Sequence, residues 1–328
     1  MTEGPESETP ASDTAYTRTV RIGIPSAAPA PKRLSPWELA RTLVSHYSRY
    51  GRLMRLHRPI GIWLLLFPTL WADWIAGAGK PQQHVFLILV VGTIVARSAG
   101  CVINDFADRR IDSRVARTAD RPLATGEVAP IEALLLFVAL MLIALGLVLT
   151  LNKLTVLLAI VGAVVTVLYP FTKRFFSAPQ FVLGIAFAWG VPMAFAAELG
   201  MVPRLGWLLF IAAVVWVIVY DTEYAMADRD EDLKIGVRST AILFGDLDRV
   251  VVGALQLLLL VTLVLVGRDA QLGAWYWGGL AAASACGLYQ QYLMRDREPG
   301  FCFRAFANNA WVGASVFCGI VLDYLFQG

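Results

Sequence analysis

The chain has 328 residues, of which 57% are hydrophobic and only 16% charged, with a mean hydropathy of +0.61 and a formal net charge of +3. Charged residues make up about a quarter of an ordinary soluble domain, so this composition excludes one and points to a polytopic membrane protein. So small and dispersed a net charge gives no footing for a nucleic-acid partner. The four cysteines (Cys101, Cys286, Cys302 and Cys318) lack any Cys-x-x-Cys spacing and imply neither a disulfide framework nor a metal site.

Residues 1–34 are rich in Pro, Ser, Thr, Ala and Glu without apolar periodicity, and read as a disordered tail. They lack the charged-then-apolar order of a signal peptide, and their acidic start does not suit a transit peptide. Residues 35–328 read as one polytopic domain. It opens with Ser35–Arg58, where Trp37, Leu39, Leu43, Val44, Leu53 and Leu56 alternate with arginines, as in a segment lying along a membrane surface. Nine apolar stretches of bilayer-spanning length follow, at 59–78, 85–103, 131–150, 154–170, 180–197, 205–221, 249–266, 272–293 and 306–326. The predicted fold class is therefore an all-α integral membrane bundle. Pro68 and Pro192 lie inside spans and are expected to kink them.

The second stretch runs straight into Val-Ile-Asn-Asp-Phe-Ala-Asp-Arg-Arg-Ile-Asp, residues 102–112. At about 100° per residue, with Asn104 as origin, Asp108 falls near 40°, Asp112 near 80° and Asp105 near 100°. Four oxygen-bearing side chains thus share about a quarter of the helix circumference at the mouth of a span. Carboxylates so spaced repel unless a cation sits among them. Mg²⁺ suits such a cluster, taking one or two carboxylates plus substrate phosphates.

The sixth stretch ends the same way, in Tyr-Asp-Thr-Glu-Tyr-Ala-Met-Ala-Asp-Arg-Asp-Glu-Asp at 220–232. With Asp221 as origin, Asp228 falls near −20° and Asp232 near 20°. Glu223 and Asp230 land on the opposite face and read as solvated charges. All lysines and arginines except Lys80, Arg97, Lys153, Arg204 and Arg268 fall on one side of the membrane, together with both acidic clusters. That side is cytoplasmic by the positive-inside rule, and with it the N-terminus.

Two metal-binding carboxylate clusters at one bilayer surface suit a ligand that is polyanionic at one end and apolar at the other, such as an isoprenyl diphosphate. Cations stand nearby: Lys173 and Arg174 in a short loop after Tyr169, and Arg109, Arg114, Arg117, Arg121, Lys234 and Arg238 around the acidic ends. Arg97 shares the face of Asn104 about 10 Å deeper in the membrane. An ionisable group there is a candidate for binding a substrate anion or for an internal ion pair. Arg55 and Arg58 are the rival anion-binding candidates.

Asn-Asp-Phe-Ala-Asp-Arg-Arg-Ile-Asp, Arg-Thr-Ala-Asp-Arg-Pro-Leu (117–123), Tyr-Pro-Phe-Thr-Lys-Arg (169–174) and the 220–236 motif resemble the UbiA prenyltransferases, as do Arg-Pro-Ile-Gly (58–61), Pro-Thr-Leu-Trp (68–71) and Pro-Met-Ala-Phe-Ala-Ala (192–197). The likeness covers about residues 50–325 and is greatest to the members that prenylate 4-hydroxybenzoate in ubiquinone biosynthesis. It implies a nine-helix bundle whose central cavity opens sideways to lipid under a cytoplasmic cap, in a bacterial inner membrane. It implies Mg²⁺ held by Asn104, Asp105, Asp108, Asp112, Asp221, Asp228 and Asp232, with Asp108, Asp112, Asp228 and Asp232 as the catalytic carboxylates. It places polyprenyl diphosphate against Lys173, Arg174, Arg117 and Arg121, and the acid group of 4-hydroxybenzoate against Arg97, Arg55 or Arg58. Other branches carry a further acid near Tyr224. Two other readings fit the residues alone: prenyl transfer to another quinone or porphyrin precursor, and an ion-coupled transporter, which would place its acids nearer mid-bilayer.

Overall fold

A computed structural model describes Met1 and residues 47–112, 118–172, 176, 178–236 and 238–326, without the side chains of 110–112, 170, 171 and 235. All but Met1 belong to one compact unit, Ser45–Gly328. Residues 2–34 of the proposed tail, residues 35–46 of the approach segment, Arg114, Arg117, Lys173 and Arg174 lie outside the described residues.

Every regular element among these residues is a helix. A short one (α1, residues 47–53) precedes α2 (Ile60–Ala76), α3 (Gln83–Asp112), α4 (Pro130–Val148), α5 (Lys153–Thr172), α6 (Pro179–Ala188), α7 (Gly190–Leu199) and α8 (Arg204–Ile235). A five-residue helix, α9 (Thr240–Phe244), leads to α10 (Asp248–Asp269), α11 (Ala274–Leu293) and α12 (Pro299–Phe326). Six helical stretches are long and apolar enough to cross a bilayer: Gln83–Arg109, Pro130–Val148, Pro179–Leu199, Arg204–Lys234, Thr240–Asp269 and Pro299–Phe326; Ile60–Ala76 and Lys153–Tyr169 are shorter apolar helices. The protein is thus a multi-pass membrane protein.

The prolines act differently. α2 continues through Pro68. The stretch read as one span at 180–197 is one membrane-spanning stretch, Pro179–Leu199, built of two helices that meet at Trp189. Pro192 has no N–H for the carbonyl of Ala188, and its ring crowds that carbonyl. Trp189 steadies the break, its Nε1 donating to the Leu158 carbonyl at 2.7 Å.

α8 is the central post, packed by α6, α10 and α12. Trp216 stacks on Trp71 of α2 with ring centroids 5.0 Å apart, and both indoles are fully buried. Their N–H groups find partners on α12: Trp71 Nε1 donates to the Gly313 carbonyl (3.1 Å) and Trp216 Nε1 to Asn309 Oδ1 (2.9 Å). A buried indole donor left unpaired would cost about 1–3 kcal/mol, so the Trp71 bond fixes α2, and the Trp216 bond the rotation of α8, against α12. That rotation decides which face of α8 meets the cavity. α8 stops at Gly236, whose φ of 70° and N–H bond to the Asp232 carbonyl form a left-handed cap that other residues adopt only under strain.

Candidate active site

α3 and α8 carry their apolar runs into acidic turns without a break, as the i, i+4 spacing predicts. Between them lies a cavity of about 1030 Å³. Its walls include Asn104, Asp105 and Asp108 from α3 and Asp221, Asp228 and Asp232 from α8, so two stretches more than a hundred residues apart serve one chamber. Arg55, Arg58, Arg97, Arg121 and Arg238 also line it. Away from this charged end, the wall is apolar, built by Leu64, Leu89, Phe137, Met141, Leu145, Leu183 and Phe187.

The charges are organised unevenly. Asp105 is 1% exposed, and its Oδ1 accepts from Arg55 Nη2 at 2.6 Å and Arg121 Nη1 at 3.1 Å. Burial opposes the charge on Arg55, but Asp105, then Cys101 and Tyr224, hold its pKa above the usual arginine value. His57, also on the wall, is pushed below the usual imidazole value, first by desolvation and then by Arg58, Arg55 and Arg52. Arg52 pairs with Glu127, and Arg49 donates to the Glu127 carbonyl at 3.4 Å, pinning the approach to α2 against the 118–128 loop.

Arg97 stands apart. Its guanidinium carbon lies 5.5 Å from the Phe187 ring centroid, and it has no hydrogen-bond or ion-pair partner among the described residues. The internal ion pair considered above is therefore not formed there. Arg97 is half-buried on the cavity wall.

The oxygen donors fit a hard divalent cation. No three His, Cys, Asp or Glu groups among the described residues stand close enough to hold a metal ion by themselves. An ion here would share one or two carboxylates from each helix with phosphate oxygens, the manner in which Mg²⁺ is usually bound. The Asp112 side chain lies outside the described set; α3 ends at its backbone.

Residues 65–313 match the sequence profile described as the UbiA prenyltransferase family. The chain belongs to the UbiA prenyltransferase family. A 4-hydroxybenzoate octaprenyltransferase of Nitrosococcus oceani is 58% identical over 276 residues, covering 84% of this chain and 97% of its own. Another, from Saccharophagus degradans, is 54% identical over 287 residues, covering 88% and 95%. Among solved structures, an apo UbiA homolog from Aeropyrum pernix superposes with a TM-score of 0.69 at 25% identity, over 79% of this chain and 97% of that one. A UbiA homolog from Archaeoglobus fulgidus bound to GPP and Mg²⁺ gives 0.64 at 17%, over 83% and 99%.

Two readings of this UbiA site change in three dimensions. Asp230 is exposed as expected, but Glu223 is not a solvated charge: it is fully buried, and its Oε2 accepts from Asn309 Nδ2 at 2.6 Å. At the level of Glu223 the face opposite the acidic stripe meets α12, and only about two turns later, at Asp230, does it meet water. Arg109 is not on the cavity wall; its Nη1 turns back to the Phe106 carbonyl at 2.6 Å. Sequence reasoning also passed over Glu231, which lines the cavity with Oε2 buried and without a hydrogen-bond partner among the described residues. It sits about −80° from Asp221, at the edge of the stripe, where a helical projection does not distinguish wall from flank. Arg52, His57 and Tyr220 join the wall likewise without a motif to announce them.

Proposed function

We propose that the protein transfers a polyprenyl group from polyprenyl diphosphate to the ring carbon ortho to the hydroxyl of 4-hydroxybenzoate, releasing diphosphate and 3-polyprenyl-4-hydroxybenzoate for ubiquinone biosynthesis. The observation that carries this reading is the single cavity, acidic and arginine-lined at one end, apolar in its body, with the unpaired Arg97 between the two. A diphosphate fits the first, an isoprenoid chain the second and an aromatic carboxylate the third. The relatives named 4-hydroxybenzoate octaprenyltransferase support the pairing of substrates.

Asn104, Asp108, Asp221, Asp228 and Asp232, with Asp112, would hold Mg²⁺, which when bound supplies charge neutralisation to the departing diphosphate. Arg121, joined by Arg117, Lys173 and Arg174, binds the diphosphate oxygens as the allylic C–O bond breaks. Arg97 orients the ring acid so that its ortho carbon faces the allylic carbon. The apolar walls exclude water, which would otherwise capture the allylic cation. The ring then loses a proton and regains aromaticity.

In the same reading the chain crosses a bacterial inner membrane nine times, with α6 and α7 forming one broken span. The N-terminus, the ends of α3 and α8, the 118–128 loop and α9 lie on the cytoplasmic side as a cap, which the distribution of lysine and arginine supports. The test is an assay of purified protein with a polyprenyl diphosphate, 4-hydroxybenzoate and Mg²⁺. Prenylated acid should form and vanish in excess EDTA; full turnover in EDTA would remove the metal from the reading, and no product under any condition would remove the reaction.

A further inference from the structure

Asp105 shares a helical turn with Asn104 and Asp108, yet its surroundings set it apart. Its side chain is 2% exposed, and one oxygen accepts from two guanidiniums belonging to two other segments, the turn before α2 and the loop after α3. Arg55 reaches it from a left-handed backbone, φ 56°. A non-glycine residue keeps that conformation only where its surroundings over-determine it. Here Leu56 N–H donates to the Gly51 carbonyl and Arg58 N–H to the Arg55 carbonyl, each at 3.0 Å, so the turn is built to deliver this side chain.

Both guanidiniums line the cavity and keep 27% and 18% of their side-chain exposure. Each guanidinium carries five N–H donors in a planar fork that matches phosphate oxygens. Two guanidiniums brought to one atom repel each other, and the carboxylate between them is what allows them to stand together. Asp105 Oδ1 is thus committed to two cationic side chains.

We infer that Asp105 is a positioning residue that sets Arg55 and Arg121 as a fixed two-guanidinium bracket for the diphosphate, and that Arg55 serves that end of the cavity and not the ring acid. This rests on the prenyl-transfer reading above. Guanidiniums held in advance lose less freedom when they grip a phosphate, so the bracket acts mainly on prenyl diphosphate affinity.

The experiment compares Asp105→Asn, Arg55→Gln and Asp108→Asn in purified protein. Mn²⁺ binding is counted by electron paramagnetic resonance without substrate, beside steady-state kinetics with geranyl diphosphate and 4-hydroxybenzoate. Asp105→Asn should keep the wild-type Mn²⁺ affinity and raise the KM for geranyl diphosphate about tenfold or more, with the KM for 4-hydroxybenzoate within about twofold. Arg55→Gln, at a side chain that is 27% exposed, should reproduce that pattern with the melting temperature in detergent within a few degrees of wild type. Adding it to Asp105→Asn should give much less than the product of the two effects, because the pair acts as a unit. Asp105→Glu should recover part of the loss. Mn²⁺ affinity falling in Asp105→Asn as it does in Asp108→Asn would make Asp105 a metal ligand and overturn the inference. A rise confined to the 4-hydroxybenzoate KM in Arg55→Gln would return Arg55 to the ring acid and overturn it too. If wild-type protein transfers no prenyl group, the broader reading fails first, and the two failures cannot be confused.

Discussion

α3 and α8 share a sequence pattern, each driving an apolar run into an acidic turn, but they are held in different ways. α8 is buried over 61% of its most apolar window and α3 over 33%. The back of α8 is locked into protein by Glu223, Asn309 and the Trp216–Trp71 stack. α3 has the cavity along one side, presenting Gly92, Ala96 and Gly100 to it, and takes its fixing from Arg55 and Arg121 at the tip. Each helix thus commits one acid to scaffolding, Glu223 in the apolar core and Asp105 at the mouth. The same spacing of carboxylates therefore does not mean the same duty at each position.

The most damaging way to probe this pairing is to remove one acid from each cavity face. Asp108→Ala and Asp228→Ala should each lower kcat about a thousandfold or more, since the charge stabilisation at stake is several kcal/mol. Asp230→Ala, on the exposed side of α8, should stay within about twofold of wild type. Equal damage at Asp230 would mean that α8 is rotated from the orientation its core bonds dictate.

Arg97→Met comes next, and tests whether the cavity wall of α3 recognises the ring acid. The KM for 4-hydroxybenzoate should rise about ten- to a hundredfold, the worth of a charge-assisted bond, with prenyl diphosphate KM and melting temperature unchanged. Loss of both affinities together with a lower melting temperature in detergent would make Arg97 structural.

Asn309→Leu should show the opposite pattern, because it strikes the back of α8. Leaving Glu223 and the Trp216 indole unpaired in the core should cost about 1–3 kcal/mol each. A lowered melting temperature with Mn²⁺ affinity preserved is the outcome to look for; unchanged stability would dissociate Glu223 from the fold.

The smallest effect should come from the smooth side of α3. Neither Gly92 nor Gly146 has any atom within 4 Å of where a Cβ would stand, but only Gly92 lines the cavity. Gly92→Phe should slow octaprenyl diphosphate relative to geranyl diphosphate by a few-fold, on the order of 1 kcal/mol of lost tail contact, while Gly146→Phe should leave the ratio alone. A ratio unmoved in both would put the long tail elsewhere.

Much of this was legible in the sequence. Apolar runs located the helices, and the i, i+4 acids showed that α3 and α8 continue as helix through Asp108 and Asp232. Lysine and arginine put both tips on one side, so that a shared cavity was possible. What a helical projection could not supply was the partner across each face. It gave Glu223 an angle but no Asn309, and it gave Asp105 a place in the stripe without the two guanidiniums that claim it. Long-range pairs of this kind join residues 86 and 50 positions apart, beyond the reach of any local pattern. The break at Trp189 escaped for another reason: a proline kinks or interrupts a helix according to what receives the freed groups, and the Leu158 carbonyl that steadies Trp189 belongs to a different helix.

Gly61, on α2, bears on the same arginine by what it lacks. A Cβ at that position would stand 2.6 Å from Arg97 Nη2 and 2.7 Å from Nε, closer than real atoms approach. What such a methyl would strike is the movable end of a side chain, so the bundle could absorb it by swinging the guanidinium aside. The seat of Arg97 is in this sense moulded by a missing atom, 36 positions away in the chain. If Arg97 holds the ring acid as proposed, folding would forgive an alanine there far more readily than substrate choice would, and selectivity at Gly61 would drift with stability intact.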